Sequence, residues 1–162
     1  MPWWIERTRR LRHHLSRLEV WELERFGRSG LSVASRQSVL VLATTGRRSG
    51  LTRKTPVTYL PYGDGLLIGG GAGGQKATPD WVHNLRASGR ARVTIDRVAR
   101  DVAVSELTGD ERQRAFAALV ERWPSIRRYE SWGGRTLPLF VLRSGLHPDL
   151  RSGLHPHRPL RP

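Results

Sequence analysis

The 162-residue chain has no cysteine. That removes disulfides, thiolate metal ligation and a cysteine nucleophile from consideration, and it fits a reducing cytosol. Acidic residues are scarce. Against 28 Lys and Arg, nearly all of them Arg, stand 14 Asp and Glu, for a formal net charge of +14. Such a balance points to anionic partners (nucleic acid, anionic lipid or an acidic small molecule) without choosing among them, and an Arg-rich codon usage gives the same bias. No apolar run approaches the roughly 20 residues that span a bilayer. The charged N-terminus lacks the apolar centre of a secretion signal. The expectation is a cytoplasmic protein, soluble or lying against a membrane surface. The length suits one domain of ordinary size.

What is present centres on Ser38 to Leu60. Val39 to Leu42 is aliphatic without a helical period, which suits a strand buried on both faces. Thr44, Thr45 and Gly46 end it. Pro56 belongs at an edge or strand start because it cannot donate to a ladder. Val57, Tyr59 and Leu60 resume the texture of a strand. Between them lie Arg47, Arg48, Arg53 and Lys54, with Ser49, Thr52 and Thr55 interleaved. Guanidinium forks and hydroxyls on a tight turn are what phosphate or carboxylate recognition requires. A solvated, Arg-rich hairpin tip is the alternative reading of the same residues.

Residues 1–30 read as an amphipathic helix, with Trp4, Leu11, Leu15, Leu18 and Trp21 on one face and Gly27 and Gly30 as its stop. That stripe packs on the domain or on a second subunit. With Trp3 and Trp4 beside a basic face, contact with lipid headgroups is the alternative. Tyr62-Gly-Asp-Gly65 is a hairpin turn, and Leu66 to Ile68 is the returning strand. It runs into a glycine-rich loop, Gly69 to Gly74, followed by Gln75, Lys76 and Ala77. Gln75 and Ala77 break the Gly-Lys-Ser/Thr order of a phosphate loop. What is left is a loop nearly without side chains, either a plain surface loop or one whose N–H groups approach a flat or anionic ligand.

Thr78 is placed to cap a short helix that buries Trp81, Val82 and Leu85 and ends at Gly89. His83 has no second ligand at metal spacing. Ala91–Ile95 and Val102–Leu107 alternate as strands with one wet face. Thr108-Gly-Asp-Glu111 is a capping box opening a helix with Ala115, Phe116, Leu119, Val120 and Trp123 on one side, closed by Pro124. An aromatic-rich segment, Trp123 to Trp132, precedes a last strand from Leu137 to Leu142. The tail repeats Arg143–Pro148 as Arg151–Pro156, a pattern that suits disorder. The chain therefore divides into a helix at 1–30, a domain at 31–142 and a basic tail at 143–162. About six strands joined mostly by hairpins, with helices inserted late, predict an α+β domain on a small closed or partly closed barrel. Ligand grooves of such barrels commonly lie at subunit interfaces, so a homodimer is expected.

Four motifs follow one another in order: Thr44-Thr-Gly-Arg-Arg-Ser-Gly50 with Arg53 and Pro56; Pro79-x-Trp-x-x-Asn-Leu85; Tyr129-Glu-Ser-Trp132; and Arg135-Thr-Leu-Pro138. Over Val39 to Leu142 the chain resembles the deazaflavin-dependent nitroreductase family, the F420H2-dependent nitro and quinone reductases of actinobacteria. Their fold is a split β-barrel like that of the FMN-binding pyridoxamine-phosphate oxidases. The resemblance implies coenzyme F420, a reduced deazaflavin with a phosphate and an oligoglutamate tail, and FMN is the alternative cofactor. It implies hydride transfer to a quinone, nitro or other conjugated small-molecule acceptor. Cofactor contacts are implied for Gly46, Arg47, Arg48, Ser49, Gly50, Arg53, Lys54, Thr55 and Pro56 at the turn. Gly71, Ala72, Gly73 and Lys76 follow at the loop, with Trp81 and Asn84 on the helix. Tyr129 is implied as the proton donor to the acceptor, and Trp123, Ile126 and Trp132 as lining. No metal is implied.

The chain also departs from the family pattern. A Ser-Lys pair before the glycine loop is here Gly71 and Ala72, with Lys76 four positions later as a substitute cation. Family tyrosines flanking the acceptor are here Trp123 and Ile126. The missing pair keeps open a flavin or deazaflavin carrier without turnover. A nucleic-acid-binding domain is the other alternative. Against it, the cations are spread along the chain without an interleaved aromatic platform, so no specific nucleic acid is expected.

Overall fold

The computed structural model describes residues 16–30, 37–71 and 76–144. Six strands form the sheet: β1 (Val39–Thr45), β2 (Thr52–Tyr62), β3 (Gly65–Gly69), β4 (Arg90–Ile95), β5 (Val98–Glu106) and β6 (Leu139–Ser144). They close into an antiparallel barrel in the order β1-β2-β3-β6-β5-β4. Helix α1 covers 16–26, α2 is Asp80–Ser88, α3 is Gly109–Arg122 and α4 is Arg127–Gly133, with a 3₁₀ turn at Pro124–Ile126.

Leu40 and Leu42 of β1 face the barrel interior with Val57, Ile68, Val93, Val102, Phe140 and Leu142. Helix α2 joins that core through Trp81, Val82 and Leu85, and Trp81 packs on Phe140 with ring centroids 6.1 Å apart. Helix α3 lies outside, its Ala115 and Leu119 on Leu67, Leu139 and Val141. Val41 points away from Leu40 and is covered by Val20 and Leu23 of α1. The unbroken aliphatic run of β1 is thus buried on both faces, with α1 supplying the second cover.

Several expectations are corrected. The stripe read through Leu18 and Trp21 faces outward: they are 53% and 55% exposed, whereas Val20 and Leu23 are buried. Apolar residues occupy two faces of α1, so periodicity alone admits either rotation. Tertiary contacts select one: Glu24 pairs with Lys54 at 2.7 Å, and Gly27 (φ +75°) closes the helix against the Asp96 backbone. Outward, Trp21 meets the exposed Phe26 edge-to-face at 5.6 Å. Trp3, Trp4, Leu11, Leu15 and the tail beyond Ser144 lie outside the described residues.

Pro56 sits within β2, opposite Val41. It is tolerated because β2 pairs with β1 over Thr52–Thr58 but with β3 only over Tyr59–Tyr62, so a missing N–H there breaks no second ladder. Thr78 is not a cap. Pro79 holds that position and the helix begins at Asp80, which leaves the Thr78 side chain one residue too early. Thr108 stands at the α3 cap, but its hydroxyl makes no capping bond. The left-handed Gly109 (φ +52°) turns it out of line, and only the Thr108 carbonyl is used, by Arg112 N–H.

Leu23→Ala and Leu18→Ala separate the two rotations of α1 in urea unfolding. Leu23→Ala is expected to cost about 2–3 kcal/mol as a buried truncation. Leu18→Ala is expected to stay within ~0.5 kcal/mol.

Candidate cofactor site

The barrel opens where β2 parts from β3. One wall is the turn from β1 into β2, closed on itself by Gly50 N–H to Gly46 O at 2.8 Å and Gly46 N–H to Leu51 O at 2.9 Å. The Ser49 hydroxyl accepts from Leu51 N–H at 3.3 Å. Helix α2 fixes this wall in place. Asn84, 5% exposed, accepts the Arg47 backbone N–H at 3.1 Å and donates to the Thr44 hydroxyl at 3.1 Å. Its amide is committed inside the protein, so it positions the turn.

Register sorts the cations. Leu42 pairs with Thr55 and Thr44 with Arg53, which puts Arg53 and Thr55 on the interior-facing side of β2. Lys54 pairs with Ala43 on the other side, where its ammonium meets Glu24. Arg47, Arg48 and Arg53 are exposed, and among the described residues their guanidinium groups have no hydrogen-bond or ion-pair partner. Three cations of the turn therefore remain available and the fourth is bound to α1.

The second wall begins at Gly69. Gly70 N–H donates to Pro138 O at 2.8 Å, and Arg135 donates to Gly70 O at 2.9 Å and Ala77 O at 3.5 Å, spanning the ends of the loop. A Cβ at Gly70 would come within 2.7 Å of Val82, and one at Gly71 within 2.8 Å of the Tyr129 ring. Absence of side chains here lets the loop close against α2 and α4. Ala72 and Gly73 lie outside the described residues, and Lys76 is exposed at the loop's far end. Trp81, 8% exposed, belongs to the core beneath.

Helix α4 is held by a carboxylate–guanidinium clamp. Glu130 accepts Leu137 N–H at 2.8 Å and pairs with Arg112, which donates to Leu137 O at 3.1 Å. Both backbone groups of Leu137 are thereby satisfied. Tyr129 is thus set over Gly71, its ring 6.1 Å from that of the exposed Trp132. Trp123 and Ile126 are half-buried against the α3 cluster. Sequence reading did not single out Arg112, Glu130 or Arg135 as site-forming, although Glu130 and Arg135 stand within the motifs. Near the opposite end, burial, with Asp96 adding to it, pushes the Tyr59 phenol above its ordinary range, against a hydrogen bond to Ser38. Among the described residues no group of three His, Asp or Glu could hold a metal, and no helix is long and apolar enough to cross a membrane.

A six-stranded antiparallel barrel carries an exposed Arg-rich turn and a glycine loop that both contact α2. Residues 15–144 match the family described as F420H(2)-dependent quinone reductase, and the chain belongs to that family of oxidoreductases. It is 28% identical over 119 residues to the F420H(2)-dependent quinone reductase of Mycobacterium tuberculosis (strain ATCC 25618 / H37Rv), covering 72% of this chain and 80% of that one. A solved F420-H2-dependent reductase, FDR-A, superposes with a TM-score of 0.59 at 25% identity, over 65% of this chain and 94% of the other. A chain solved as a domain-swapped dimer gives the same score and identity, over 65% of this chain and 80% of its own.

Asn84→Ala leaves the Arg47 amide and the Thr44 hydroxyl without their partner. The expected cost is about 1–3 kcal/mol, read by urea unfolding. Faster hydrogen exchange at the Arg47 amide, with core amides unchanged, is expected alongside.

Proposed function

We propose that the protein is an F420H2-dependent reductase that reduces a quinone, nitro or other conjugated acceptor. The observation that carries this reading is the turn: three guanidinium groups without a partner among the described residues, on a loop pinned by a buried amide. Those donors suit a ligand with a phosphate and several carboxylates. The side-chain-free approach at Gly71 suits a flat ring, with FMN as the competing ligand of the same shape. Bound F420H2 supplies a hydride from C5 of its ring, so the protein's share is orientation and electrostatics.

Each residue then has a part. Arg47, Arg48 and Arg53 hold the anionic tail, with Thr55 on the same side of β2 as Arg53. Gly46, Ser49 and Gly50 shape the turn, and Pro56 leaves the β2 edge open. Asn84 and Trp81 support from below. Lys54 serves the contact with α1. Gly71 forms the loop wall, and the family resemblance implies cofactor contacts for Ala72, Gly73 and Lys76 after it. Tyr129, whose hydroxyl makes no hydrogen bond among the described residues, donates the proton the reduced acceptor needs. Trp123, Ile126 and Trp132 line the acceptor side. Assembly as a homodimer is supported by the domain-swapped relative. The exposed Leu18, Trp21 and Phe26 support contact of a cytoplasmic protein with a lipid surface through α1, which vesicle co-sedimentation reads.

A second reading, a deazaflavin carrier without turnover, is favoured by Gly71, which offers the ring no side-chain hydrogen bond. Titration with F420 and FMN by fluorescence, followed by oxidation of F420H2 with menadione, divides the readings. Tight F420 binding with turnover is expected; binding of FMN alone overturns the cofactor assignment. Arg47→Ala and Arg53→Ala are each expected to weaken F420 binding by about ten- to a hundredfold, the loss of one charge-assisted contact, with the thermal midpoint unchanged. Unchanged affinity in both would sink the role of the turn. Tyr129→Phe is expected to lower kcat on the order of 10²-fold while F420 affinity holds.

A further inference from the structure

Helix α4 carries two side chains in a continuous stack with Tyr129. The indole of Trp132 is 54% exposed and lies 6.1 Å from the Tyr129 ring at a tilt of 31°. The Arg128 guanidinium sits 5.2 Å from the Trp132 ring centroid. Tyr129 itself rests on Gly71. Stacked surfaces therefore run from the glycine loop outward to a cation.

A guanidinium lying on an indole keeps its N–H edge free to meet an anion, and the ring fixes its direction. The neighbouring carboxylate does not quench it. Glu130 is turned inward to Leu137 N–H and Arg112. Among the described residues Arg128 has no ion-pair partner, and the adjacent Arg127 adds charge of the same sign. Half-exposed tryptophan at the rim of a cleft offers a flat apolar surface, and the arginine marks where a negative group on that flat ligand would lie.

We propose that Arg128 determines acceptor specificity: the acceptor is a planar conjugated quinone carrying a negative charge, its ring along Tyr129 and Trp132 and its anionic group at Arg128. This deepens the functional reading above and rests on Tyr129 facing the acceptor.

The test compares F420H2 oxidation by 1,4-naphthoquinone, which is neutral, and its 2-sulfonate, which is anionic. Taking the ratio of kcat/KM values within each variant cancels the intrinsic reactivity of the two quinones. Arg128→Gln is expected to lower kcat/KM for the sulfonate about five- to tenfold and for the neutral quinone less than twofold, with F420 affinity unchanged and the difference shrinking as salt is raised. Trp132→Leu is expected to lower both. Arg92→Gln, which removes the same charge on β4, leaves the ratio unchanged. An equal effect of Arg128→Gln on both quinones, or none, overturns this inference alone. A wild-type protein that binds F420H2 yet reduces neither quinone overturns the proposed activity and this inference with it.

Discussion

The placement of the cationic turn depends on one buried amide. Asn84 reaches from α2 to the last core residue of β1 and to the first residue of the cationic loop, bonding Thr44 with its nitrogen and Arg47 N–H with its oxygen. A buried amide is costly unless both ends are satisfied, so the rotation of α2 and the position of the loop are set together. The same helix fixes the opposite wall by a different force. Val82 meets Gly70 at a distance that excludes even a methyl group. A nine-residue helix thus sets the separation of two loops that have no strand pairing between them.

Among the cations, two groups of arginine show contrasting physics. Arg112 and Arg135 are spent on the protein's own backbone: one satisfies Leu137 together with Glu130, the other gathers the carbonyls of Gly70 and Ala77. Planar, multiply donating guanidinium groups suit such carbonyl bracing in a way that an ammonium does not. Arg47, Arg48 and Arg53 make no such contacts among the described residues and keep their charge for solvent or ligand. A net charge of +14 therefore understates how unevenly the cations are used.

Much of the fold was legible because it follows from period and punctuation. The aliphatic run at Val39–Leu42, the alternation through β4 and β5 and the Tyr62–Gly65 turn are local signals. The Asp96-Arg97 turn was not legible: both residues are left-handed (φ 48° and 69°) with no glycine to announce it. Nor was the rotation of α1, which depends on Glu24 meeting a lysine 30 residues away. At the site, the turn could be read from its residue types. Its sorting into Arg53 inward and Lys54 outward is a matter of register, which composition does not carry. Asn84 reads in sequence as a polar residue facing a ligand, and only its tertiary partners reveal it as a brace.

Strand β2 is continuous over eleven residues yet bonded along one edge at a time, to β1 over Thr52–Thr58 and to β3 over Tyr59–Tyr62. Its partner strand therefore changes midway. The Thr52–Thr58 half hangs from β1 and the Tyr59–Tyr62 half from β3, each through a single ladder. Arg53 and Thr55 ride on the half that β1 holds. One strand thus joins β1 to β3 in series, and the end of it that carries the arginine answers to β1 alone.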